Sequence, residues 1–187
     1  YHIILASASP RRQQFFKDMG IEFEVRLKPV KEEYPTELKA EEITNFLAKL
    51  KAAAFQDRLK TGDILVTSDT IVWHQGKALE KPKDPAHAQE MIRGLCGKTH
   101  EVITSVCFTT AEKQKLVHAV TRVTFSKLSD EEIQFYIDQF RPFDKAGAYG
   151  IQEWIGLVGV EHIEGSYFNV VGLPTHLVYQ SLLELTD

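Results

Sequence analysis

Cysteine is scarce in this sequence: Cys96 and Cys107 are the only two in 187 residues, eleven positions apart and without a CxxC spacing. Two are too few for a disulfide framework or a thiolate metal site, and they fit free thiols in a reducing compartment. Long apolar runs are also missing. The first, Ile3-Ile4-Leu5-Ala6, falls far short of the roughly 20 residues of a membrane span, and no charged segment precedes it as in a signal peptide. The expectation is a cytoplasmic protein with no membrane partner. The chain opens at Tyr1 and not at Met, which is read as a trimmed start. Nor is there an excess of positive charge, since 22 Lys and Arg stand against 26 Asp and Glu for a net charge of -4. Nothing in that balance attracts nucleic acid, so any anion site must be built locally. Repeats and low-complexity segments are absent. At 43% hydrophobic, 187 residues suffice for one substantial core, and a single domain over residues 1–187 is expected.

What the chain does contain is well punctuated. Ile3 to Ala6 reads as a buried strand, followed by Ser9 as N-cap and Pro10 at the first position of a helix that carries Phe15, Phe16 and Met19 and stops at Gly20. A strand feeding a helix N-terminus beside Ser7, Ser9, Arg11 and Arg12 is chemically an anion site, although a hydrated, capped surface helix is written the same way. Glu22 to Arg26 alternates like a half-exposed strand, and Lys31-Glu32-Glu33-Tyr34-Pro35 is an acidic turn. Ala40 to Leu59 is the longest helical pattern. Lys51 sits on or beside its apolar face, where a lysine either snorkels to solvent or reaches into a cleft.

Ile64 to Ser68 is an apolar strand, with Asp69-Thr70 expected near its carboxyl end, the place where α/β proteins put their chemistry. A turn at His74-Gln75-Gly76-Lys77 precedes Glu80-Lys81-Pro82, and Asp84-Pro85 opens a helix that runs to Leu95. Gly94 to Thr99 is not a P-loop, because Ile92 stands where the first glycine is needed and the helix–strand order is reversed. Thr99–Thr110 and Lys115–Phe125 form a hairpin, and Ser129 to Glu132 is a capping box for a further helix. Leu157–Ile163 reads as a strand, Gly165–Asn169 as a turn, and Pro174–Leu185 as a closing helix. The seven histidines show no paired spacing for zinc.

The least core-like stretch is Asp144-Lys145-Ala146-Gly147-Ala148-Tyr149-Gly150-Ile151-Gln152, in which small residues surround a carboxylate, a cation and two hydrogen-bonding side chains. By itself it is a polar pocket wall or an ordinary glycine-rich turn. Together with Ser7 to Arg12, Ser68-Asp69-Thr70, Glu80-Lys81-Pro82 and Gly165-Ser166-Tyr167-Phe168-Asn169-Val170-Val171-Gly172-Leu173-Pro174, in that order, it resembles the Maf family. The resemblance covers essentially the whole chain. Its departures are Glu80, where glycine often precedes Lys-Pro, and Phe15-Phe16 in place of leucines.

The resemblance implies an α/β fold with an elongated mixed sheet, flanked by helices in two lobes with a central cleft and related to the inosine triphosphate pyrophosphatases. It implies a nucleoside triphosphate substrate, hydrolysed to the monophosphate and pyrophosphate with a divalent cation, Mg²⁺ or Mn²⁺, and it is compatible with a homodimer. Arg11, Thr70 and Gln152 match the specificity positions of the branch acting on dTTP and UTP, and Asp69 matches the proton acceptor. On this view Ser7, Ser9, Arg11, Arg12, Lys51, Lys81 and Lys145 hold the triphosphate, while Glu33 and Asp69 hold the metal. Whether Asp69 takes a proton or orients water through the metal stays open, as does pairing or catalysis for Asp144. The alternatives are a pyrophosphatase for modified nucleotides such as 7-methyl-GTP, and a nucleotide-binding regulator of septum formation that does not hydrolyse.

Overall fold

The computed structural model describes residues 1–187. Seven strands, β1 (His2–Leu5), β2 (Glu24–Val25), β3 (Asp63–His74), β4 (Lys77–Leu79), β5 (Thr99–Thr109), β6 (Gln114–Phe125) and β7 (Val160–Glu164), form one sheet in the order β2-β1-β3-β5-β6-β7, with β4 paired to β3. The sheet is mixed: β1 runs parallel to β2 and β3, whereas β3–β4 and β6–β7 are antiparallel. The helices are α1 (Pro10–Asp18), α2 (Glu41–Ala53), α3 (Pro85–Leu95), α4 (Asp130–Phe140), α5 (Trp154–Gly159), α6 (Tyr167–Val171) and α7 (Thr175–Thr186). This is the expected α/β class. No helix is long and apolar enough to cross a membrane.

The chain divides into two compact units. The first comprises Tyr1–Thr70, Thr104–Ala119 and Gly172–Asp187, and the second Ile71–Ile103 and Val120–Val171. In the first, strict alternation sorts the core into two layers, because successive strand residues face opposite sides of a sheet. Ile3, Leu5, Ile64, Val66, Val106 and Phe108 pack with Phe16 of α1 and Val178, Leu182 and Leu185 of α7. Ile4, Leu65 and Cys107, the residues in between, pack with Ala48 and Ala52 of α2. In the second unit α3 packs on α4, and His100, Phe125 and Tyr149 form a ring cluster with centroids 4.8 to 5.4 Å apart.

Local signals account for most element starts. Ser9 caps α1 through Arg12 N, Asp84 caps α3 through His87 N, and both helices begin on proline. Ser129 and Glu132 form the reciprocal capping box of α4. The turn between β3 and β4 places Gln75 and Gly76 at φ 49° and 74°, the double left-handed geometry of a two-residue hairpin.

Three expectations change. Asp69 does not lie near the end of a strand, since β3 continues through it to His74. Leu157 to Gly159 belong to helix α5, where Ile155 and Gly159 are buried four apart while Leu157 is 84% exposed; a strand would have put all three on one face. Gly156 permits this turn, as a Cβ there would lie 1.7 Å from the Ile151 carbonyl oxygen. Gly165–Asn169 runs into α6, with the Ser166 hydroxyl accepting the Asn169 N–H at 3.2 Å.

The Ala146–Ala148 turn is left-handed at Gly147 (φ 70°) and at the buried Ala148 (φ 60°). A Cβ on Gly147 would come within 2.8 Å of Val72 Cγ2. Gly147→Ala therefore combines backbone strain with a clash and is expected to destabilise the fold by about 2–4 kcal/mol, as thermal unfolding would show.

Candidate active site

The first unit assembles its polar residues through the same alternation that builds its core. Leu65 faces α2, so Thr67 and Asp69 do too, and the Thr67 hydroxyl donates to Ala48 O at 2.7 Å. Lys51 lies four residues after Leu47 on the buried face of α2, and its side chain is only 18% exposed. Of the two options open to it, the lysine takes the inward one. Its ammonium donates to Asp69 Oδ1 at 2.8 Å and to Ser68 O at 3.2 Å, and it pairs with Glu32 Oε1 at 3.1 Å.

Thr70 faces the opposite layer, where α1 lies. There Arg12 Nη2 donates to Thr70 Oγ1 at 2.8 Å, Arg12 Nε to Gly172 O at 2.9 Å, and Nη1 to Ser68 O at 3.5 Å. The Thr70 hydroxyl also pairs with that of Thr104 at 2.8 Å. The Ser68 hydroxyl, on the same face, is buried without a hydrogen-bond partner. The loop before α1 is held by its own serines: Ser7 Oγ accepts from Ser9 N at 3.2 Å and Ser9 Oγ from Arg12 N at 3.4 Å. Arg11 is half-buried in the first turn of the helix. Adjacent residues of one strand, Asp69 and Thr70, thus meet a lysine on one side and an arginine on the other.

Electrostatics follow from enclosure. Burial raises the Asp69 carboxyl above its ordinary value of 3.8; Lys51 and Arg12 pull it back down, while Glu32 pushes it further up. Burial also lowers the Arg12 pKa, opposed by Asp69. Arginine nonetheless keeps its charge.

Glu33 does not join this group. Its carboxylate pairs with Lys31 at 2.8 Å in solvent, and Glu32 is the acid that reaches Lys51. Neighbouring residues of an irregular segment turn to different sides, and composition alone does not reveal which one turns inward. Thr104 was equally hidden, because a threonine in a β-rich run reads as an ordinary strand residue.

In the second unit Lys145 pairs with Asp144 at 3.0 Å and with Glu153 at 3.2 Å. Lys81 and Gln152 are exposed. Tyr149 is buried, its hydroxyl 2.6 Å from His100 Nε2. Burial, with a smaller contribution from His74, pushes the His100 pKa down to about 3, so the imidazole is neutral.

A capped helix N-terminus and a fixed arginine, both groups that suit an anion, thus stand in one unit with a buried, lysine-paired aspartate. The chain belongs to the Maf family: the model of the Maf-like protein matches residues 2–185. A dTTP/UTP pyrophosphatase of Flavobacterium johnsoniae is 63% identical over 99% of this chain and 95% of its own length. Proteins of the same description from Bacteroides fragilis and Porphyromonas gingivalis are 53% and 43% identical, covering 99% and 100% of this chain and 96% of their own lengths. Among solved structures, the Staphylococcus aureus Ham1 protein matches 67% of this chain and 72% of its own, with a TM-score of 0.47 and 15% identity.

Proposed function

We propose that this chain hydrolyses dTTP and UTP to the monophosphate and pyrophosphate, and that residues 1–187 act as one catalytic domain. The observation that carries the reading is Asp69, a buried carboxylate held 2.8 Å from Lys51 one residue away from the Thr70–Arg12 contact. A carboxylate beside cations supports the reading in a family whose relatives carry this activity in their names.

The α1 N-terminus, with Ser7, Ser9, Arg11 and Arg12, receives triphosphate oxygens through serine hydroxyls and guanidinium forks, at the positive end of the helix. Lys51 and Lys81 supply further positive charge, which stabilises the negative charge that develops on the departing pyrophosphate, and Lys145 binds the triphosphate throughout. Asp69 accepts the proton of the attacking water, and a carboxyl raised above its ordinary range is better matched to that task near neutral pH. Arg11 and Gln152 are the candidates for reading the base. A carboxamide both donates and accepts, as the O4 and N3–H edge shared by thymine and uracil requires. Thr70, the third specificity position, fixes Arg12 through its hydroxyl.

For a divalent cation, Mg²⁺ or Mn²⁺, Asp69 and Glu32 are the carboxylates that would hold it; both now pair with the Lys51 ammonium, which such an ion would have to displace, and no group of three acidic, histidine or cysteine side chains stands there. Once bound, such an ion supplies charge neutralisation at the phosphates and polarises water.

The test is pyrophosphate release from a panel of canonical and modified nucleoside triphosphates with Mg²⁺ or Mn²⁺. Turnover led by dTTP and UTP is expected. Preference for a purine or 7-methyl-GTP would move the specificity, and no turnover by folded protein would favour the regulator. A second check is the titration of the Asp69 carboxyl in metal-free protein, followed by ¹³C NMR. It is expected above the usual carboxylate range, and Lys51→Met, which removes the strongest attraction on that carboxylate, should move it further up. A midpoint unmoved or lowered in the variant would contradict the pairing of Lys51 with Asp69.

A further inference from the structure

We propose that Glu153 is a positioning residue that aims Lys145 at the triphosphate by holding its side chain across Gly150; this rests on reading Lys145 as a substrate-binding lysine. Three observations in the second unit converge on it. The first is the unequal standing of the two acids around Lys145. Its side chain is 15% exposed, its Asp144 partner 69% exposed and its Glu153 partner 19% exposed. A pair facing solvent is weak and exchanges readily, whereas an enclosed pair holds its geometry. A phosphate oxygen therefore replaces Asp144 while Glu153 keeps its hold.

The second observation is that Glu153 is itself fixed. The Tyr136 hydroxyl, buried on α4, donates to Glu153 Oε1 at 3.3 Å, and Oε1 is also the atom that faces Lys145. The same hydroxyl accepts the Gly150 N–H at 3.0 Å, and the Glu153 N–H donates to Gly150 O at 3.0 Å. Tyrosine, glutamate and the loop backbone form one connected seat.

Gly150 supplies the third. A Cβ there would lie 2.3 Å from Glu153 Oε1, 2.9 Å from Lys145 Cε and 3.0 Å from Lys145 Cδ. The ion pair crosses directly over this α-carbon, in the volume that any other side chain would fill. Gly150 is not among the residues with positive φ, so the glycine is needed there for space and not for backbone conformation. The glycine of the signature and the glutamate just beyond it are two parts of one device.

The experiment is steady-state kinetics of the full chain on the best nucleotide of the panel, with Lys145→Met, Glu153→Gln, Gly150→Ala and the Lys145→Met/Glu153→Gln double variant, each checked by thermal unfolding. Lys145→Met is expected to raise KM about 10-fold. Glu153→Gln and Gly150→Ala should raise it about 5- to 10-fold, with kcat changed less than about 2-fold. The double variant should match Lys145→Met alone, because the glutamate acts only through the lysine. Gly150→Ala displaces the pair without altering either partner and serves if Glu153→Gln fails to fold. A rise in KM for Lys145→Met with wild-type KM in both Glu153→Gln and Gly150→Ala would overturn the positioning role and leave the lysine reading intact. Additive effects in the double variant would also overturn it. Unchanged KM in Lys145→Met would remove the lysine reading and the inference with it.

Discussion

Asp69→Asn is expected to lower kcat/KM by about 10³-fold while leaving the protein at least as stable as the wild type. The amide keeps the shape of the side chain but neither accepts a proton at neutral pH nor carries charge toward a cation. The stability half of the prediction follows from linkage. Folding raises the Asp69 pKa, so the folded chain binds that proton more tightly than the unfolded chain does. The corresponding stability is present at low pH and is lost as pH rises from the ordinary 3.8 through the folded value. At neutral pH the wild type bears the full cost of a buried carboxylate, and the amide does not. Lys51 retains Glu32 as a partner in the variant. In metal-free buffer, the Tm of Asp69→Asn relative to wild type should rise from pH 4 to pH 7. Near-wild-type turnover, or a collapse of Tm, would discard Asp69 as the central group.

Arg12→Lys is the second large effect, with kcat/KM expected to fall about 10²-fold or more despite the conserved charge. The guanidinium makes three bonds to the protein, to Gly172 O, Ser68 O and Thr70 Oγ1, and a planar fork with five N–H donors has others to offer a phosphate. An ammonium has three donors on one atom and cannot span the same acceptors. It leaves the Gly172 carbonyl or the Thr70 hydroxyl without its donor, so stability should also fall by about 1–3 kcal/mol. Steady-state kinetics and denaturant unfolding read the two losses separately. Arg12→Lys with wild-type kcat/KM would show that charge alone, without the fork, suffices.

How much of this was legible depends on how local the signal is. Ser9-Pro10, Asp84-Pro85 and the Ser129–Glu132 box mark helix starts because a cap is made by residues within one turn, and all three sit where they were expected. The extent of β3 was not legible, because a strand continues as long as its neighbours in the sheet pair with it, and Asp69 does not interrupt it. The start of the strand expected over Leu157–Ile163 was misread for a different reason: short apolar stretches suit either period, and only the exposure of Leu157 decides for helix up to Gly159. Within the candidate site Arg12, Lys51, Asp69 and Thr70 were visible but their pairings were not, and Thr104 and Glu32 were not singled out. Lys51 was placed on an apolar face with two options, and the fold supplies the Asp69 partner that selects one. Glu32 and Glu33 are chemically identical neighbours, distinguished only by the path of an irregular segment.

With Asp69 taking the proton of the attacking water and pyrophosphate departing, the proposed reaction is attack of water at the α-phosphorus of the nucleoside triphosphate. Hydrolysis of dTTP by the wild-type chain in ¹⁸O-labelled water, with ³¹P detection of isotope shifts in the products, tests it most directly. One label is expected in dTMP and none in pyrophosphate. Label in the pyrophosphate, or release of orthophosphate, would place the attack at another phosphorus and contradict it.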